Sequence, residues 1–546
     1  MKTAFAKKEK RLMTVLRTLK SAVLGACLVV ATASGLEAKT LVFCSEGSPE
    51  GFDPALQTST TTFDASSKPL YNRLVELKPG TTEVEPGLAE SWDVSDNGLE
   101  VTFYLRKGVK FHNTPFFTPS RELNADDVLF SFERQRKKSH AWHAYMPGTA
   151  WEFFDAMSMP EFIKNIVKID DHTVKFVLTR PEAPILANLA MDFASILSAE
   201  YADQLEDGGA KEQLNVQPIG TGPFAFVGYQ EDAIVRFSAH SDYWDGKQAI
   251  DNLTFAITPN AAVRLQKLKA GECDVMTRPA PTDIDDIRSD GDLTLMEQPS
   301  LNIGYLAYNT KVPPFDRKEV RKALYHAINK QEILEAVYQG AGQVAKNPFP
   351  PTVWSYNTAI EDDAYNPDLA REMLAAAGIG DLSLTIWAMP VPRSYNPNAR
   401  LMAEYIKADL EKVGVRVEIV SHKWGKYLSL SKDVNRQGAV LFGWTGRNGD
   451  PDNFLNELLS CEQVGGSNRA QWCNDVFEAL IEKARTTFDT AERAKLYEEA
   501  QRVFSEEAPW VTIAHSMAYV PMSAKVTGYV MDPLGGHSFK GVDLTD

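Results

Sequence analysis

The sequence predicts an α/β fold, because strand patterns and helix patterns alternate along the chain instead of forming separate blocks. Two observations carry this prediction: short segments with apolar residues at every second position, and helices whose ends are marked by capping residues. The chain of 546 residues is long enough for about three units of ~150 residues each. No low-complexity tract, long linker or short-period repeat divides it.

The first strand patterns lie at residues 99–111 and 172–179. Both segments alternate apolar and polar residues, which is typical of a strand with one buried face. The predicted inward residues are Val101, Phe103 and Leu105 in the first segment, and Val174, Phe176 and Leu178 in the second.

A helix with both ends marked is predicted between Asp316 and Gly340. Asp316 is the expected N-cap because Glu319 follows three residues later, and glycine commonly ends a helix. The apolar face of this helix consists of Val320, Leu324, Ile328 and Val337. A second helix with Met402, Ile406 and Leu410 on one face should end at Gly414 and continue directly into a strand, residues 415–421.

The N-terminus reads as a secretory signal peptide at residues 1–38. A basic segment precedes the apolar run from Ser21 to Leu36, which is too short for a comfortable membrane span of ~20 residues. Cleavage after Ala38 is favoured over cleavage after Ala33, because a strand-like segment begins at residue 39. Cys27 lies in a box that resembles a lipoprotein-processing site, which leaves a lipid anchor as the alternative.

The charge and the cysteine content limit the possible ligands and the cellular compartment of the protein. The full chain has a formal charge of −16, and loss of the seven basic and two acidic residues at positions 1–38 leaves −21, a surface that repels nucleic acid. Four cysteines remain, which favours disulfides in an oxidising compartment. They allow three pairings. The natural local pair is Cys461 with Cys473, which would leave Cys44 with Cys273.

Seven ordered motifs resemble the extracytoplasmic solute-binding proteins of peptide and nickel ABC importers. They are "LVFCSEGSPEGFDPAL", "LYNRLVEL", "PGLAESWDVSDNG", "VTFYLRKGVKFHN", "NADDVLFSFER", "GTGPF" and "YWDG". The resemblance runs from about residue 39 to the C-terminus. Further segments, including "RPEAPILANLAMDFASILS", "WAMPV", "YNPNAR" and "NGDPDNF", resemble the dipeptide-binding branch of that family.

The resemblance implies a two-lobed periplasmic binding protein with an extra third domain, of the type called cluster C. Lobe I would comprise residues 39–70, 221–298 and 518–546, the extra domain residues 71–220, and lobe II residues 299–517. It implies the disulfides Cys44–Cys273 and Cys461–Cys473. It also implies a monomeric periplasmic receptor that closes on a short peptide and delivers it to an inner-membrane permease with cytoplasmic ATPases.

A zwitterionic peptide in a closed cleft needs a cation for its carboxylate and an anion for its ammonium, because an unpaired buried charge is costly. The family pattern places the carboxylate-binding arginine at Arg393, and a guanidinium can bind a carboxylate through two hydrogen bonds. Hydroxyl and amide partners for the peptide backbone are expected at Thr58, Ser59 and Thr60. Aromatic walls are expected from Trp387, Tyr395, Trp424 and Trp444, although any one of them could instead pack in the core.

Arg447 departs from the family pattern, which places there the aspartate that binds the ligand's ammonium. One interpretation is that Arg447 and Arg393 both face the cleft, so that the ligand is more anionic than a plain dipeptide: glutathione, an acidic or γ-glutamyl peptide, or the propionates of haem. The other interpretation is that Arg447 turns outward and Asp450 or Asp452 takes over the ammonium.

Two other classes are less favoured. Asp450 and Asp452 could serve a secreted hydrolase as acid and base, but carboxylates in a polar turn are mostly turn-forming, and the chain has no Gly-x-Ser-x-Gly or His-Glu-x-x-His motif. A nickel or metallophore binder could use His140 and His143, but no third ligand is evident nearby. We therefore expect a non-enzymatic protein without cofactor or bound metal.

Overall fold

The structure is a computed structural model that describes residues 38–545. Apart from Ala38, the predicted signal peptide and the alternative anchor at Cys27 lie outside these residues. Within residues 38–545, no helix combines the length and the apolar character needed to cross a bilayer.

Twelve strands within residues 38–545 form one large mixed sheet. In spatial order its main path consists of Val415–Val420, Leu382–Trp387, Ala439–Thr445, Asn302–Ala307, Trp510–Ser523, Val275–Met276, Thr40–Ser45, Asn252–Ile257, Ile234–Ala239 and Phe224–Gln230. Two further strands, Leu293–Pro299 and Gly342–Val344, pair with Trp510–Ser523.

The strand Trp510–Ser523 connects the two lobes of the protein. Its first residues pair with Asn302–Ala307 and pack in the cores formed by residues 301–514. Its last residues pair with Leu293–Pro299 and pack in the core formed by residues 41–275 and 520–542. Each lobe therefore keeps its own apolar interior, while this strand continues from one to the other.

A separate four-stranded antiparallel sheet contains both strands predicted from alternation. Its order is Ala89–Val94, Glu100–Leu105, Thr173–Leu178 and Ile163–Asp170. Phe103 pairs with Val174 and both are fully buried, as the alternation predicts. The first strand ends at residue 105 and not at residue 111, because the chain turns at Gly108, which has a positive φ of 78°.

Smaller elements complete the chain. Two-stranded sheets pair Val75–Leu77 with Val84–Pro86 and Val526–Thr527 with Asp543–Leu544. The α-helices are Thr60–Ala65, Ser67–Leu70, Ala125–Arg136, Glu152–Ala156, Met159–Phe162, Ile185–Leu189, Ala199–Asp207, Ala261–Lys269, Ile284–Ser289, Lys318–His326, Lys330–Ile333, Pro367–Ala376, Ala399–Lys412, Trp424–Ser431, Asp452–Leu459, Asp475–Thr486 and Thr490–Glu507.

The single helix predicted between Asp316 and Gly340 is wrong in two respects. Its N-cap is Arg317, and the helix stops at His326. A new helix begins after Asn329, whose side chain accepts the backbone N–H of Glu332 while its own N–H donates to Asp409 Oδ2 at 2.8 Å. This contact with the helix Ala399–Lys412 takes the N–H of Asn329 out of the helical hydrogen-bond ladder, so tertiary packing overrides the local pattern.

Two other predictions are confirmed. The helix Ala399–Lys412 ends before Gly414, at φ 84°, and the strand Val415–Val420 follows in parallel with Leu382–Trp387. The cysteines pair as expected, with Cα–Cα separations of 5.9 Å for Cys44–Cys273 and 4.7 Å for Cys461–Cys473. The domain boundaries given above stay predictions.

Candidate functional site

A cavity of about 530 Å³ lies between two walls that come from distant parts of the chain. One wall, the arginine wall, is formed by Arg393, Tyr395, Trp424 and residues 442–447. The other, the lysine wall, is formed by Thr58, Thr60, Phe63, Lys68, Phe153, Met191, Asp192, Asp532, Leu534 and Gly536. The cavity therefore brings together residues from positions 58 to 536.

The arginine wall is built on the strand Ala439–Thr445 and the loop that follows it. The rings of Trp424 and Phe442 stack nearly parallel, with centroids 6.2 Å apart. Gly443 is required because a Cβ at this position would overlap the ring of Tyr395. The close packing of these groups presents flat aromatic faces to the cavity, which suits ligand side chains of many shapes.

Arg393 and Arg447 lie over the aromatic rings of this wall. The guanidinium carbon of Arg393 is 4.9 Å from the ring centre of Trp424, and that of Arg447 is 5.2 Å from the ring centre of Trp444. Asn453 Oδ1 holds the loop by accepting the backbone N–H of Arg447 at 2.9 Å and the indole N–H of Trp444 at 3.3 Å. Neither arginine forms an ion pair within residues 38–545. Both cations are thus available to an anion in the cavity.

The lysine wall carries a charged cluster of three residues. Lys68 Nζ lies 3.0 Å from Asp532 Oδ2 and 3.7 Å from Asp192 Oδ1. Burial alone would lower the pKa of Lys68, but the two carboxylates raise it overall, so the lysine stays charged. Gly536 allows the backbone to pass close to this cluster, because a Cβ there would meet Asp532 and Lys68 at 3.1 Å.

Asp450 does not reach the cavity. Its side chain is buried and forms two hydrogen bonds of 2.9 Å with the guanidinium of Arg493. Asp452 is also absent from the lining, and burial raises its pKa to about 7. These placements contradict the interpretation in which Arg447 turns outward and one of these aspartates receives the ammonium, since Arg447 lines the cavity and the aspartates face the interior.

Two further predicted residues lie outside the lining. The hydroxyl of Ser59 caps the helix Thr60–Ala65, accepting the N–H of Thr62 and donating to its Oγ1 at 2.9 Å. Trp387 packs against His422, with ring centres 4.8 Å apart, behind the aromatic stack. Seven predicted residues do line the cavity, namely Thr58, Thr60, Arg393, Tyr395, Trp424, Trp444 and Arg447.

Sequence reasoning missed several lining residues. Phe442 could have been found, because it lies two positions before Trp444 on a strand and therefore points to the same face. The cluster of Lys68, Asp192 and Asp532 carried no local signal, since up to 464 positions separate its members.

The paired histidines of the metal-binding alternative are engaged by the backbone. His140 Nδ1 accepts the N–H of Trp142 at 3.2 Å, and His143 Nδ1 lies 2.9 Å from the carbonyl oxygen of Arg134. Among residues 38–545, no group of three or more His, Cys, Asp or Glu residues is placed to hold a metal ion.

Other depressions also occur in the described chain. A cavity of about 390 Å³ adjoins the first and shares Lys68, Asp192 and Asp532 with it. A wider, open depression of about 630 Å³ lies between residues 180–182 and the helix Asp475–Thr486. Its two arginines pair with Glu182 from the same depression: Arg485 Nε donates to Glu182 Oε1 at 2.8 Å, and Arg180 Nε donates to Glu182 Oε2 at 3.0 Å.

A family model, "Bacterial extracellular solute-binding proteins, family 5 Middle", matches residues 83–466. The chain belongs to this family. The match includes Asp192, Arg393 and Arg447 and most of both lobes. Family 5 proteins bind solutes outside the bacterial cytoplasm, which agrees with a cavity whose walls come from two lobes.

Curated relatives cover almost the whole chain. The "Dipeptide-binding protein" of Escherichia coli K12 is 54% identical over 95% of this chain and 98% of its own length. The "Di/tripeptide-binding protein 1" of Pseudomonas aeruginosa UCBPP-PA14 is 48% identical over 98% and 99%. The "Heme-binding protein A" of Haemophilus influenzae Rd is 47% identical over 92% of each chain.

Solved structures share the two-lobed α/β fold. HbpA2 from Haemophilus parasuis is 45% identical, with a TM-score of 0.90 over 93% of this chain and 100% of that chain. The dipeptide-binding protein from Pseudoalteromonas sp. SM9913 in complex with Met-Leu is 40% identical, with a TM-score of 0.67 over the same shares.

Proposed function

We propose that this protein captures short peptides, dipeptides foremost, and delivers them to the permease of an ABC importer driven by cytoplasmic ATPases. The relatives from E. coli and P. aeruginosa, a dipeptide-binding protein and a di/tripeptide-binding protein, support a peptide ligand. The protein leaves its ligand chemically unchanged and acts as a monomer in the periplasm, after export by a signal peptide at residues 1–38.

One observation carries the proposal: two arginines without ion pairs within residues 38–545 face an aromatic cavity of about 530 Å³. A guanidinium binds a carboxylate through two parallel hydrogen bonds, so it fixes the orientation of the ligand as well as neutralising its charge. Arg393 is exposed and free to make such a contact with the ligand's terminal carboxylate. The stacked rings beside it accept varied side chains.

Closure of the two lobes completes the site. HbpA2 from H. parasuis is 45% identical to this chain and has a TM-score of 0.90. The Met-Leu complex is almost as similar in sequence, at 40% identity, but its TM-score is only 0.67. Rotation of rigid lobes about a hinge lowers a TM-score without changing either lobe, so this difference agrees with lobes that can take up different relative positions. Closure removes water from the cavity, which strengthens the contacts between arginine and carboxylate.

A second candidate function is the same transport role with a more anionic ligand. Arg447 lines the cavity beside Arg393, so this wall carries two positive charges where a plain dipeptide has one carboxylate. Glutathione, an acidic or γ-glutamyl peptide, and haem with its two propionates supply the second negative charge. The haem-binding relative of H. influenzae agrees with this candidate.

Ligand-induced thermal stabilisation tests the proposal. A ligand at 100 times its Kd should add about 2.7 kcal/mol to the free energy of unfolding. The panel contains neutral dipeptides, acidic dipeptides, reduced and oxidised glutathione, haemin and Ni²⁺. Stabilisation by peptides supports the proposal. If no peptide stabilises the protein while a chromogenic ester or amide is hydrolysed, the role as a binding protein is wrong.

A further inference from the structure

We propose that Asp192, with Asp532 beside it, binds the ammonium group of the ligand on the lysine wall, opposite Arg393 and Arg447. This inference rests on the proposed function, because it assumes a ligand with a free amino end in the cavity of about 530 Å³. It assigns the two ends of the ligand to opposite walls of the cavity.

Few carboxylates line the cavity and could receive an ammonium group. The acidic residues that line it are Asp192 and Asp532, and both lie on the lysine wall. Asp450 is the nearest acidic residue to Arg447 on the loop, but both of its carboxylate oxygens accept hydrogen bonds from Arg493. An ammonium group that enters this cavity thus finds an anion only on the wall opposite the arginines.

The charge balance of the lysine wall leaves room for one more cation. Lys68 contributes a single positive charge between two carboxylates, Asp192 and Asp532. Arg73 Nη1 lies 3.9 Å from Asp192, but its Nε donates to Glu76 at 2.8 Å, so its charge is matched by another carboxylate. The cluster therefore has a net charge of −1, which an ammonium would neutralise.

Asp192 also has a free acceptor atom. Its Oδ1 accepts a hydrogen bond of 2.5 Å from Ser67 Oγ, whereas its Oδ2 has no partner within residues 38–545. By contrast, both oxygens of Asp532 are occupied, Oδ1 by the N–H of Leu534 at 2.9 Å and Oδ2 by Lys68. Asp192 thus supplies the direct contact, and Asp532 contributes through its charge.

The aromatic faces do not compete for the ammonium. A cation can bind over a tryptophan ring, but the rings of Trp424 and Trp444 already carry Arg393 and Arg447. A second cation there would be repelled by the guanidinium groups. The two walls therefore carry opposite net charges, and a zwitterionic peptide fits between them in one orientation.

A cycle of variants and ligand analogues tests this inference by calorimetric titration. The probes are Met-Leu and N-acetyl-Met-Leu, which differ in the ammonium group. We expect acetylation to weaken binding to the wild type by about tenfold or more. In Asp192→Asn the ratio of the two affinities should fall towards one, and Asp192→Glu should restore part of it. The exposed Asp203→Asn, in the same domain, should keep the wild-type ratio.

Three outcomes would overturn the inference. The wild type could bind both probes equally, Asp192→Asn could weaken both probes by the same factor, or Asp203→Asn could lower the ratio as much as Asp192→Asn does. If the wild type binds no peptide at all, the proposed function fails and this inference with it, a result that is visible before any variant is compared. Thermal unfolding of each variant shows whether it is folded. Asp532→Asn provides an independent second variant, which should lower the ratio of the two affinities by a smaller factor than Asp192→Asn does.

Discussion

The interior arginines and the cavity arginines of this protein have the same chemistry in opposite surroundings. In the interior, Arg134 holds Asp53 with hydrogen bonds of 2.5 and 2.8 Å, and Arg493 holds Asp450 with two of 2.9 Å. All four side chains are buried. Each of these charges is neutralised by a buried partner of opposite sign. Breaking such a pair would leave an uncompensated charge in the interior.

The cavity arginines Arg393 and Arg447 lie over aromatic rings, and Arg393 also donates to the carbonyl oxygen of Pro392. Neither side chain contacts a carboxylate within residues 38–545. This difference separates structural charges from ligand-binding charges. A structural charge already has a partner of opposite sign within the fold, whereas a ligand-binding charge does not. The loop after Trp444 contains both kinds only three positions apart, since Arg447 faces the cavity and Asp450 faces the interior.

The largest expected effect is on stability. Asp450→Asn should lower the free energy of unfolding by about 3 kcal/mol, because it leaves the buried guanidinium of Arg493 without its anion. Chemical denaturation measures this change. The matched control on the same loop is Arg447→Gln, which should change the free energy of unfolding by less than about 0.5 kcal/mol. Equal losses in the two variants would abolish the distinction between the two kinds of charge.

The next effect is on affinity. Arg393→Gln should weaken the binding of Met-Leu by about 100-fold, because the ligand's carboxylate loses its guanidinium in a closed cavity. Calorimetric titration measures the loss, and the free energy of unfolding without ligand should stay unchanged. Exposed Arg400, on the neighbouring helix, gives the matched control Arg400→Gln, which should bind as the wild type does. Wild-type affinity in Arg393→Gln would exclude this arginine from the site.

A smaller effect is expected on selectivity. Arg447→Asp should shift the ratio of affinities for acidic over neutral dipeptides by about tenfold in favour of the neutral ones, and the shift should shrink at high salt. Arg447→Gln should give an intermediate ratio. If neutral dipeptides bind the wild type and Arg447→Asp equally well, Arg447 does not select anionic ligands.

The last effect concerns pH. Burial raises the pKa of Asp452 to about 7, with Asp450 and Glu182 adding to the rise and Arg485 opposing it. The folded state thus holds a proton that the unfolded state releases between pH ~4 and ~7, so this group makes stability fall as pH rises through that window. Asp452→Asn should therefore gain stability relative to the wild type as pH rises from ~4 to ~8, because its neutral side chain has no proton to release in that window. Parallel stability curves for the two proteins would contradict the raised pKa.

The sequence predicted the α/β fold, the helix 399–412 with its following strand, and most residues of the arginine wall, because each rests on local spacing or on a short motif. It did not predict the direction of Asp450, which is set by Arg493 on a distant helix. Nor did it predict the charged cluster of the lysine wall, since Lys68, Asp192 and Asp532 meet only in the folded chain. The break in the helix at Asn329 has the same origin, a tertiary contact with Asp409.

The most direct test of the central claim is a crystal structure of the protein in complex with a dipeptide. We predict that the peptide lies between the two walls, with its carboxylate in two hydrogen bonds of about 2.8 Å to Arg393. A peptide bound outside this cavity, or bound within it while Arg393 points into solvent, would contradict the account.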